Sequence, residues 1–322
     1  MTAPGIRWLL AFALFAGAHH RAFAAGDASF LKLPVQARSL GLGYGAAASA
    51  AGSEAMSDNP AGLARLDESE AGLLYAPHLQ GMRLGWLAYA RPTRLGAFGA
   101  GLLSLRSGPL EGRDDAGNRT GDFSAEDRAM LLSFARGAGV RGLRVGGTLK
   151  VVQSRVQAYG ASTLAGDVGI QAPARALGRT ASLGFAVRNL GPGLRWLERR
   201  QALPTDATVA ATSRVSPAFL FAAGVRHRIA ERRTEFQAGT EVTPLGSVAL
   251  RASYGIAREP GAGGGLRSLV AFGIGIERGG LRLDYGMQPD GGAGATQRFG
   301  LTLRFGEASS LPSSRGGAGA GP

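Results

Sequence analysis

The sequence contains no cysteine and only four histidines among its 322 residues. Without cysteine there is no disulfide framework, so stability must come from strand pairing and packing. Two of the histidines lie within the first 24 residues. The others, His78 and His227, have no serine or carboxylate at strand-neighbour spacing and no zinc-ligand pattern. We therefore predict no catalytic residue, no metal site and no cofactor.

Lysine is also scarce, at Lys32 and Lys150 alone, although the formal net charge is +13. The arginines that supply this charge are scattered along the whole chain. Nucleic-acid sites instead cluster basic residues on one helix or loop with aromatic residues interleaved. We predict no nucleic-acid binding, and we attribute part of the charge to composition.

Long apolar runs are absent beyond the first 24 residues, which have the pattern of a cleaved signal peptide. Arg7 supplies a positive start, residues 8–18 a short apolar stretch, and residues 22–24 (AFA) a cleavage site. The rest of the chain has no apolar run of about 18 residues, so it cannot cross a bilayer as a helix. The exported chain is therefore either soluble or a β-barrel.

Alternation of apolar with polar or small residues is the main pattern of the exported chain. Near the C-terminus, Phe299, Leu301 and Leu303 fall on one face of a strand, while Gly300 and Thr302 fall on the other. A soluble sandwich would also alternate, but segments of about 10 residues with a small or charged face favour strands that span an outer membrane. Strands are predicted near residues 69–75, 82–91, 95–106, 127–136, 141–157, 162–172, 180–189, 205–213, 219–228, 234–242, 247–257, 266–278, 281–288 and 296–305.

These segments predict an all-β fold, an antiparallel transmembrane β-barrel of about fourteen strands between residues 69 and 305. Tight connections such as 278–280 and 244–246 are expected on the periplasmic side, and longer loops such as 107–126 outside. The candidate aromatic anchors at the membrane interface are Trp86, Tyr89, Phe134, Phe185, Phe219 and Tyr254.

The C-terminal residues bear on how such a barrel is assembled. Gly300, Leu303 and Phe305 resemble the terminal signal that the barrel assembly machinery reads, which makes this machinery an expected partner during biogenesis. Residues 306–322, rich in serine, glycine and proline, are predicted to be a disordered tail.

Residues 25–68 do not alternate and are predicted to form an ordered, non-strand segment before the barrel. Asn59 is a favoured helix N-cap, and Pro60 suits the first helical position after it. Pro34 could likewise start a helix that Gly41 ends. Two short helices joined by small residues would pack compactly inside the mouth of a barrel.

The chain resembles a known family in these segments and in later ones. The matching residues are 30–34 (FLKLP), 37–43 (ARSLGLG), 59–63 (NPAGL), 167–169 (DVG), 189–191 (NLG), 203–204 (LP) and 281–285 (LRLDY). In this order they resemble outer-membrane proteins of the PorV/PorQ type, which are relatives of the FadL fatty-acid transporters. The resemblance covers nearly the whole exported chain and implies that residues 25–68 are a periplasmic plug in a fourteen-stranded barrel.

The plug residues on which this resemblance rests are Arg38, Gly41, Gly43, Asn59, Pro60 and Gly62. An alternative is that this segment only closes the barrel and has no role in transport. Charged residues on the polar faces of the predicted strands would line the lumen or hold the plug. They are Arg144, Lys150, Asp167, Arg188, Glu241, Arg251, Glu277, Arg282, Asp284 and Arg304. Asp284, Arg282 and Arg304 would form a salt-bridged wall, and the excess of arginine could also favour anionic ligands.

The resemblance implies a non-enzymatic accessory of protein secretion or surface assembly in the bacterial outer membrane, with secretion-system components or exported proteins as partners. The first alternative is a FadL-like passive transporter, in which a hydrophobic ligand enters the lumen and leaves through the wall. The second is a structural envelope barrel without transport. A kinked strand beside an apolar lumen would favour the transporter. In every case the barrel would contact outer-membrane lipid.

Overall fold

The computed structural model describes residues 28–77, 81–114, 116–140, 142–176, 178–258, 265–289 and 294–306. The predicted signal peptide, His78 and all but the first residue of the predicted tail lie outside them. The strands, in chain order, are β1 (Ser69–Pro77), β2 (Arg83–Thr93), β3 (Gly96–Arg106), β4 (Leu110–Arg113), β5 (Arg119–Phe123), β6 (Ala125–Gly137), β7 (Arg144–Val156), β8 (Tyr159–Ala176), β9 (Arg179–Leu190), β10 (Leu194–Trp196), β11 (Arg199–Gln201), β12 (Asp206–Ser216), β13 (Phe219–Arg228), β14 (Arg233–Val242), β15 (Val248–Arg258), β16 (Leu266–Arg278), β17 (Leu281–Pro289) and β18 (Ala295–Phe305).

Fourteen of these strands pair in an antiparallel order and close into a barrel. Each barrel strand pairs with the next one along the chain, and β18 returns to β1, where Leu301 lies opposite Leu73. The remaining four strands form two separate hairpins, β4 with β5 and β10 with β11. The predicted fold class, about fourteen antiparallel strands preceded by a short helical segment, is confirmed.

The two ends of the barrel differ in the length of their connections. Six connections of two to six residues join strands at one end, here called the short-turn end, where Ser69 and Phe305 also lie. The opposite, long-loop end carries connections of up to 18 residues and both hairpins. The tight connections at 278–280 and 244–246 and the loop at 107–126 lie at opposite ends, as the sequence predicts.

The alternation along each strand separates an outer face from a lumen face. In β18, Phe299, Leu301 and Leu303 are exposed on the outside, whereas Arg298 and Thr302 are buried in the lumen. On this strand polar and small residues therefore face the lumen, and the apolar side chains belong to a belt around the outside of the barrel.

One predicted interface anchor is wrong, because Trp86 faces the lumen and is only 3 % exposed. The lumen face of β2 carries Leu84 and Ala88 as well, while its outer face carries Leu87 and Tyr89, so both faces are apolar. Alternation alone could not show which of them points inward.

Residues 28–68, here called the inner segment, precede the barrel and contain three short helices, α1 (Ala37–Leu42), α2 (Ala46–Ser49) and α3 (Ala55–Asp58). Turns of 3-10 helix cover Ser29–Lys32, Gly43–Gly45, Gly52–Glu54 and Pro60–Arg65. Among the described residues, none of the helices reaches the length and apolar character that crossing a membrane requires.

The helix predicted from Pro34 to Gly41 has different bounds in the structure. It begins at Ala37, with Gln36 as its extended N-cap, and continues through Gly41 to Leu42. It ends at Gly43, whose φ of 66° is open to glycine but strained for other residues. Asn59 caps the last turn as its position in the sequence predicts, because its side chain accepts a hydrogen bond from the Ala61 amide.

The ladder between β8 and β9 is interrupted near the long-loop end. The register shifts between Gly166 and Val168, so that Arg188 and Asn189 form a bulge in β9. Asn189 has a φ of 60°, a left-handed conformation that asparagine tolerates better than most residues. By contrast, β3 pairs without a shift with both of its neighbours.

Candidate functional site

The inner segment lies inside the barrel and touches the wall on nearly every side. Eight glycines on the lumen face approach it so closely that an added Cβ at any of them would come within 3.0 Å of one of its atoms. They are Gly72, Gly99, Gly146, Gly169, Gly184, Gly224, Gly239 and Gly286. Each lies no more than seven residues from the short-turn end of its strand. The inner segment therefore fills the middle of the lumen and the half beside the short turns.

The atoms that these glycines meet differ in how easily they could move. A Cβ at Gly239 would lie 2.7 Å from the carbonyl oxygen of Leu42, which is part of the backbone. A Cβ at Gly99 would instead lie 2.5 Å from the sulfur of Met56, at the end of a flexible side chain. Most of these glycines resemble Gly239, because they face the backbone of the inner segment rather than its side chains.

Asn59 links the inner segment to the strands around it and is completely buried. Its amide nitrogen lies 2.8 Å from the carbonyl oxygen of Ala47 within the segment, and 3.0 Å and 3.3 Å from those of Ile170 and Phe185 in β8 and β9. Pro60, beside it, packs against Gly146 and Gly169. One buried side chain thus satisfies carbonyl groups of three separate elements.

All three of the predicted plug glycines lie where a side chain would not fit. A Cβ at Gly41 would approach the Cβ of Arg251 to 2.7 Å, and one at Gly43 would meet Gln237. Gly62 faces the Ala50 carbonyl within the segment. Glycine at these positions allows the helices of the inner segment to pack directly on the wall and on each other.

A chain of ion pairs joins the inner segment to strands β14 to β17. Its nitrogen–oxygen distances are 2.9 Å for Arg38–Glu241, 2.6 Å for Glu241–Arg251, 2.6 Å for Arg251–Asp284, 2.9 Å for Asp284–Arg282 and 2.5 Å for Arg282–Glu54. Both ends of the chain, Arg38 and Glu54, belong to the inner segment. The wall therefore holds the segment at two points through one continuous network.

The two terminal groups of this network respond differently to burial. Burial opposes the charge of Arg38, but the adjacent Glu241 carboxylate outweighs it, so the pKa of Arg38 is raised. Burial raises the pKa of Glu54 above its usual range, because the opposing charges of Arg282 and Arg38 only partly compensate for desolvation and for the nearby Asp284. The surroundings therefore favour the charged form of Arg38 and disfavour the charged form of Glu54.

A second group of charges surrounds the middle of the inner segment. Arg188 forms two hydrogen bonds with Asp206, of 3.2 Å and 2.9 Å, and a third of 2.8 Å with the backbone oxygen of Ser57. The guanidinium of Arg226 lies 4.2 Å above the ring of Tyr44, a cation–π contact. The Tyr44 hydroxyl donates to Glu235, and burial raises the pKa of Tyr44 to about 12, so this donor keeps its proton.

A third group fills the bulge between β8 and β9. Lys150 reaches Asp167 at 2.7 Å and the side-chain oxygen of Asn189 at 2.7 Å. The amide of Asn189 donates to Asp167, and its side chain donates to the Pro204 oxygen. These bonds replace the ladder contacts that the bulge removes.

The remaining predicted lumen charges lie near the short-turn end. Arg304 pairs with Glu277 at 2.7 Å and lies 3.4 Å from Glu70, whose carboxylate accepts from the backbone amide of Ser53. Arg304 does not contact Asp284, so only the Arg282 half of the predicted wall is present. Arg144 is half-buried on the lumen face and pairs with no described carboxylate.

Apart from Glu70 near the short-turn end, the long side chains on the lumen face of β1, β2 and β3 are apolar and contrast with these charged groups; we call this face the apolar sector. Its long side chains are Leu74, Leu84, Trp86, Leu103 and Leu105, all buried. They belong to one cluster with Phe30, Leu31, Met56 and Leu63 of the inner segment and with Leu194 and Leu203 of the loop before β12. The lumen face of β14 to β18, with Arg38 and Glu54, we call the charged sector.

Arg298 on β18 lies where the two sectors meet and differs from the other buried cations. It is 2 % exposed and donates to the carbonyl oxygen of Pro34 at 2.6 Å and to the hydroxyl of Thr296 at 3.4 Å. Among the described residues no carboxylate pairs with it, whereas each of the other lumen arginines described above, except Arg144, has one. Its guanidinium group thus donates hydrogen bonds only to neutral oxygen atoms.

Neither Arg298 nor Glu54, Asp206 and Arg226 was singled out from the sequence. The three strand residues lie on the same face as the predicted lumen charges, so alternation could have found them. Nothing in the local sequence of Glu54 shows its pairing with Arg282, which is 228 residues away. Among the described residues, no group of three histidine, aspartate or glutamate side chains could hold a metal ion.

No family model matches the sequence, and no curated protein matches it significantly. Solved structures are similar in fold. The toluene transporter TbuX of Ralstonia pickettii superposes with a TM-score of 0.58 at 13% identity, covering 85% of this chain and 98% of its own. A FadL homologue of Pseudomonas aeruginosa gives 0.57 at 13%, covering 84% and 98%. The toluene transporter TodX of P. putida gives 0.55 at 13%, covering 80% and 95%.

The chain shares the barrel fold of these channels. The similarity extends over almost the whole of each neighbour, and two of the neighbours are described as toluene transporters. In fold, they agree with the FadL-like barrel that the resemblance in the sequence implies. The PorV/PorQ part of that resemblance stays a prediction.

Proposed function

We propose that this protein is an outer-membrane channel for small hydrophobic molecules, with its short turns in the periplasm. The apolar sector carries this proposal. A lumen built only for water and ions would be polar throughout, whereas here three adjacent strands present leucine and tryptophan side chains to the interior. Such a surface can accept an apolar molecule that water solvates poorly.

The fold neighbours support the same function. Two of them are described as toluene transporters and one as a FadL homologue. At 13% identity the likeness concerns the fold, so the ligand of this chain has to be argued from its own lumen. The outer belt of exposed leucine, phenylalanine and tyrosine side chains supports a location in a membrane.

The ligand that fits this lumen has an apolar body, and Arg298 gives it a place for a polar or anionic end. The guanidinium lies beside the apolar sector and is bound only to neutral oxygens. A carboxylate would form a stronger, charge-assisted bond with it than the Pro34 carbonyl does. The bulge in β9 interrupts the wall beside the apolar cluster, which reaches it through Ala165 and Leu203.

Uptake into vesicles tests the proposal. The purified full chain is reconstituted, and the entry of toluene and of decanoate is compared with protein-free vesicles. We expect faster entry of both, with Leu84→Gln slowing both and Arg298→Met slowing decanoate alone. Heat-modifiable mobility on gels shows whether each variant has folded. If neither compound enters faster than through protein-free vesicles, the channel proposal is wrong.

An accessory role in protein secretion is the second candidate. The charged sector favours it, because buried ion pairs hold the inner segment inside a lumen that then stays closed. A closed barrel with two hairpins at its long-loop end could present a surface to exported proteins. Native mass spectrometry of the protein extracted from outer membranes in mild detergent would show specific protein partners if this role is correct, and lipids or small apolar ligands alone if it is not.

A further inference from the structure

The outer rim of the barrel at the short-turn end is rich in exposed arginines. Arg91, Arg94, Arg136, Arg179 and Arg278 lie on strand ends or in turns there, and all are exposed. They belong to β2, β6, β9, β16 and the turn after β2, so they are distributed around the barrel. This distribution makes a ring rather than a patch.

Carboxylates do not neutralise this ring. None of these five arginines forms an ion pair with a described carboxylate. The described acidic residues near this end are Asp67, Glu68, Glu70, Glu241 and Glu277. Glu70 and Glu241 are buried on the lumen face, and Glu277 already pairs with Arg304. At the long-loop end, by contrast, Glu126 binds two arginines, and Glu111 and Asp122 bind one each.

The ring borders the apolar belt. Two residues before Arg91 in β2 is Tyr89, and two residues before Arg278 in β16 is Ile276, both exposed on the outer face. Phe134 precedes Arg136 in the same way on β6. The apolar side chains mark the depth of the acyl chains, so the guanidinium groups next to them lie at the depth of lipid headgroups.

We propose that this arginine ring binds the headgroups of anionic phospholipids in the leaflet at the short-turn end. Guanidinium groups bind phosphate oxygens through paired hydrogen bonds, and a negatively charged lipid surface attracts each of them. A protein partner would need its contacts on one side of the barrel. Lipids surround a barrel completely, and a ring of unpaired cations matches them.

The proposal rests on the location of the barrel in a membrane and not on what its lumen carries. It also gives a function to part of the positive charge, which from the sequence alone was attributed to amino-acid composition. That part lies on the outer rim, directly beside the apolar belt.

Native mass spectrometry of the full chain in mixed micelles tests this directly. The protein is released from equal amounts of phosphatidylglycerol and phosphatidylcholine, and the ratio of the two retained lipids is measured. We expect phosphatidylglycerol to be retained about fivefold over phosphatidylcholine, as one arginine at an anionic surface provides. The variant Arg91→Gln/Arg136→Gln/Arg179→Gln/Arg278→Gln should bring the ratio close to one.

The matched control removes four exposed arginines at the other end, Arg83→Gln/Arg155→Gln/Arg199→Gln/Arg258→Gln, and should keep the enrichment. Heat-modifiable mobility confirms that both variants are folded. Equal retention of the two lipids by the unaltered protein, or equal loss in both variants, would overturn the proposal. Vesicle uptake of toluene should be unchanged in the ring variant, so this result is independent of the channel function.

Discussion

The apolar sector and the charged sector hold the same inner segment by different forces. On the side of β1 to β3, Phe30, Met56 and Leu63 pack against leucine and tryptophan side chains, and such contacts have little directional preference. On the side of β14 to β18, Arg38 and Glu54 are fixed by short ion pairs that require a defined geometry. The charged sector therefore sets the position of the segment, and the apolar sector allows small displacements.

The largest effect should come from interrupting the charged sector at its centre. Arg251→Met would leave the buried carboxylates of Glu241 and Asp284 without their shared cation, at a cost of about 3–5 kcal/mol. Leu103→Met in the apolar sector changes little volume and should cost less than about 1.5 kcal/mol. Urea unfolding in detergent, followed by tryptophan fluorescence, measures both. Equal losses would mean that the two sectors hold the segment in the same way.

The eight lumen-facing glycines that approach the inner segment offer a second comparison. Gly239→Ala places a methyl group against the Leu42 backbone and should destabilise by about 1–3 kcal/mol, because the backbone cannot retreat. Gly99→Ala meets the flexible Met56 side chain and should cost clearly less. Gly147→Ala is the control, since its nearest atom would be 3.5 Å away. Limited proteolysis of the inner segment should follow the same order, and a reversed order of the first two would contradict the contrast between the sectors.

Asn59 lies between the sectors, and its side chain both caps a helical turn and links the inner segment to the wall. Two substitutions distinguish these roles. Asn59→Ala removes the cap and the hydrogen bonds that the Asn59 side chain donates to three carbonyl groups, which should cost about 1–2 kcal/mol. Asn59→Asp keeps the acceptor for the Ala61 amide but not the donor. Unfolding that is weakened equally by both substitutions would identify the donor bonds as the important ones, and an intact aspartate variant would identify the cap.

The smallest effect is expected at Glu54, although it belongs to the charged sector. Because its pKa is raised in the folded protein, its contribution to stability is greatest below the unfolded pKa and is lost as the pH rises through the folded pKa. Glu54→Gln should therefore change the unfolding free energy by less than about 1 kcal/mol at neutral pH. Relative to this variant, the unaltered protein should gain stability on acidification. A loss on acidification would show that the Arg282 pair outweighs burial.

The strand pattern of the barrel was predictable because the alternation of side chains along a strand is a local feature of the sequence. Alternation in β14 to β18 marks the lumen face by its charges, so Arg251, Asp284 and Arg304 could be placed inside from the sequence. In β2 both faces are apolar, and Trp86 was placed outside although it lies inside. Sequence patterns thus assigned the faces of the charged sector and failed in the apolar one.

Contacts between distant parts of the chain were beyond such patterns. Arg38 and Glu241 are 203 residues apart, and only closure of the barrel brings them together. The hairpins β4–β5 and β10–β11 were missed because their strands of three to five residues are too short to show alternation. The Asn59-Pro60 pair was readable as a cap, but its bonds to Ile170 and Phe185 depend on the register of β8 and β9.

The position of the inner segment at the start of the chain has a consequence for folding. Arg38 and Glu54 are translated before every strand of the barrel, yet their partners lie in β14 and β17, near the opposite end of the sequence. Contacts of such long sequence separation form slowly, because a long loop must close first. The inner segment is therefore synthesised before the barrel, and its native environment is completed last.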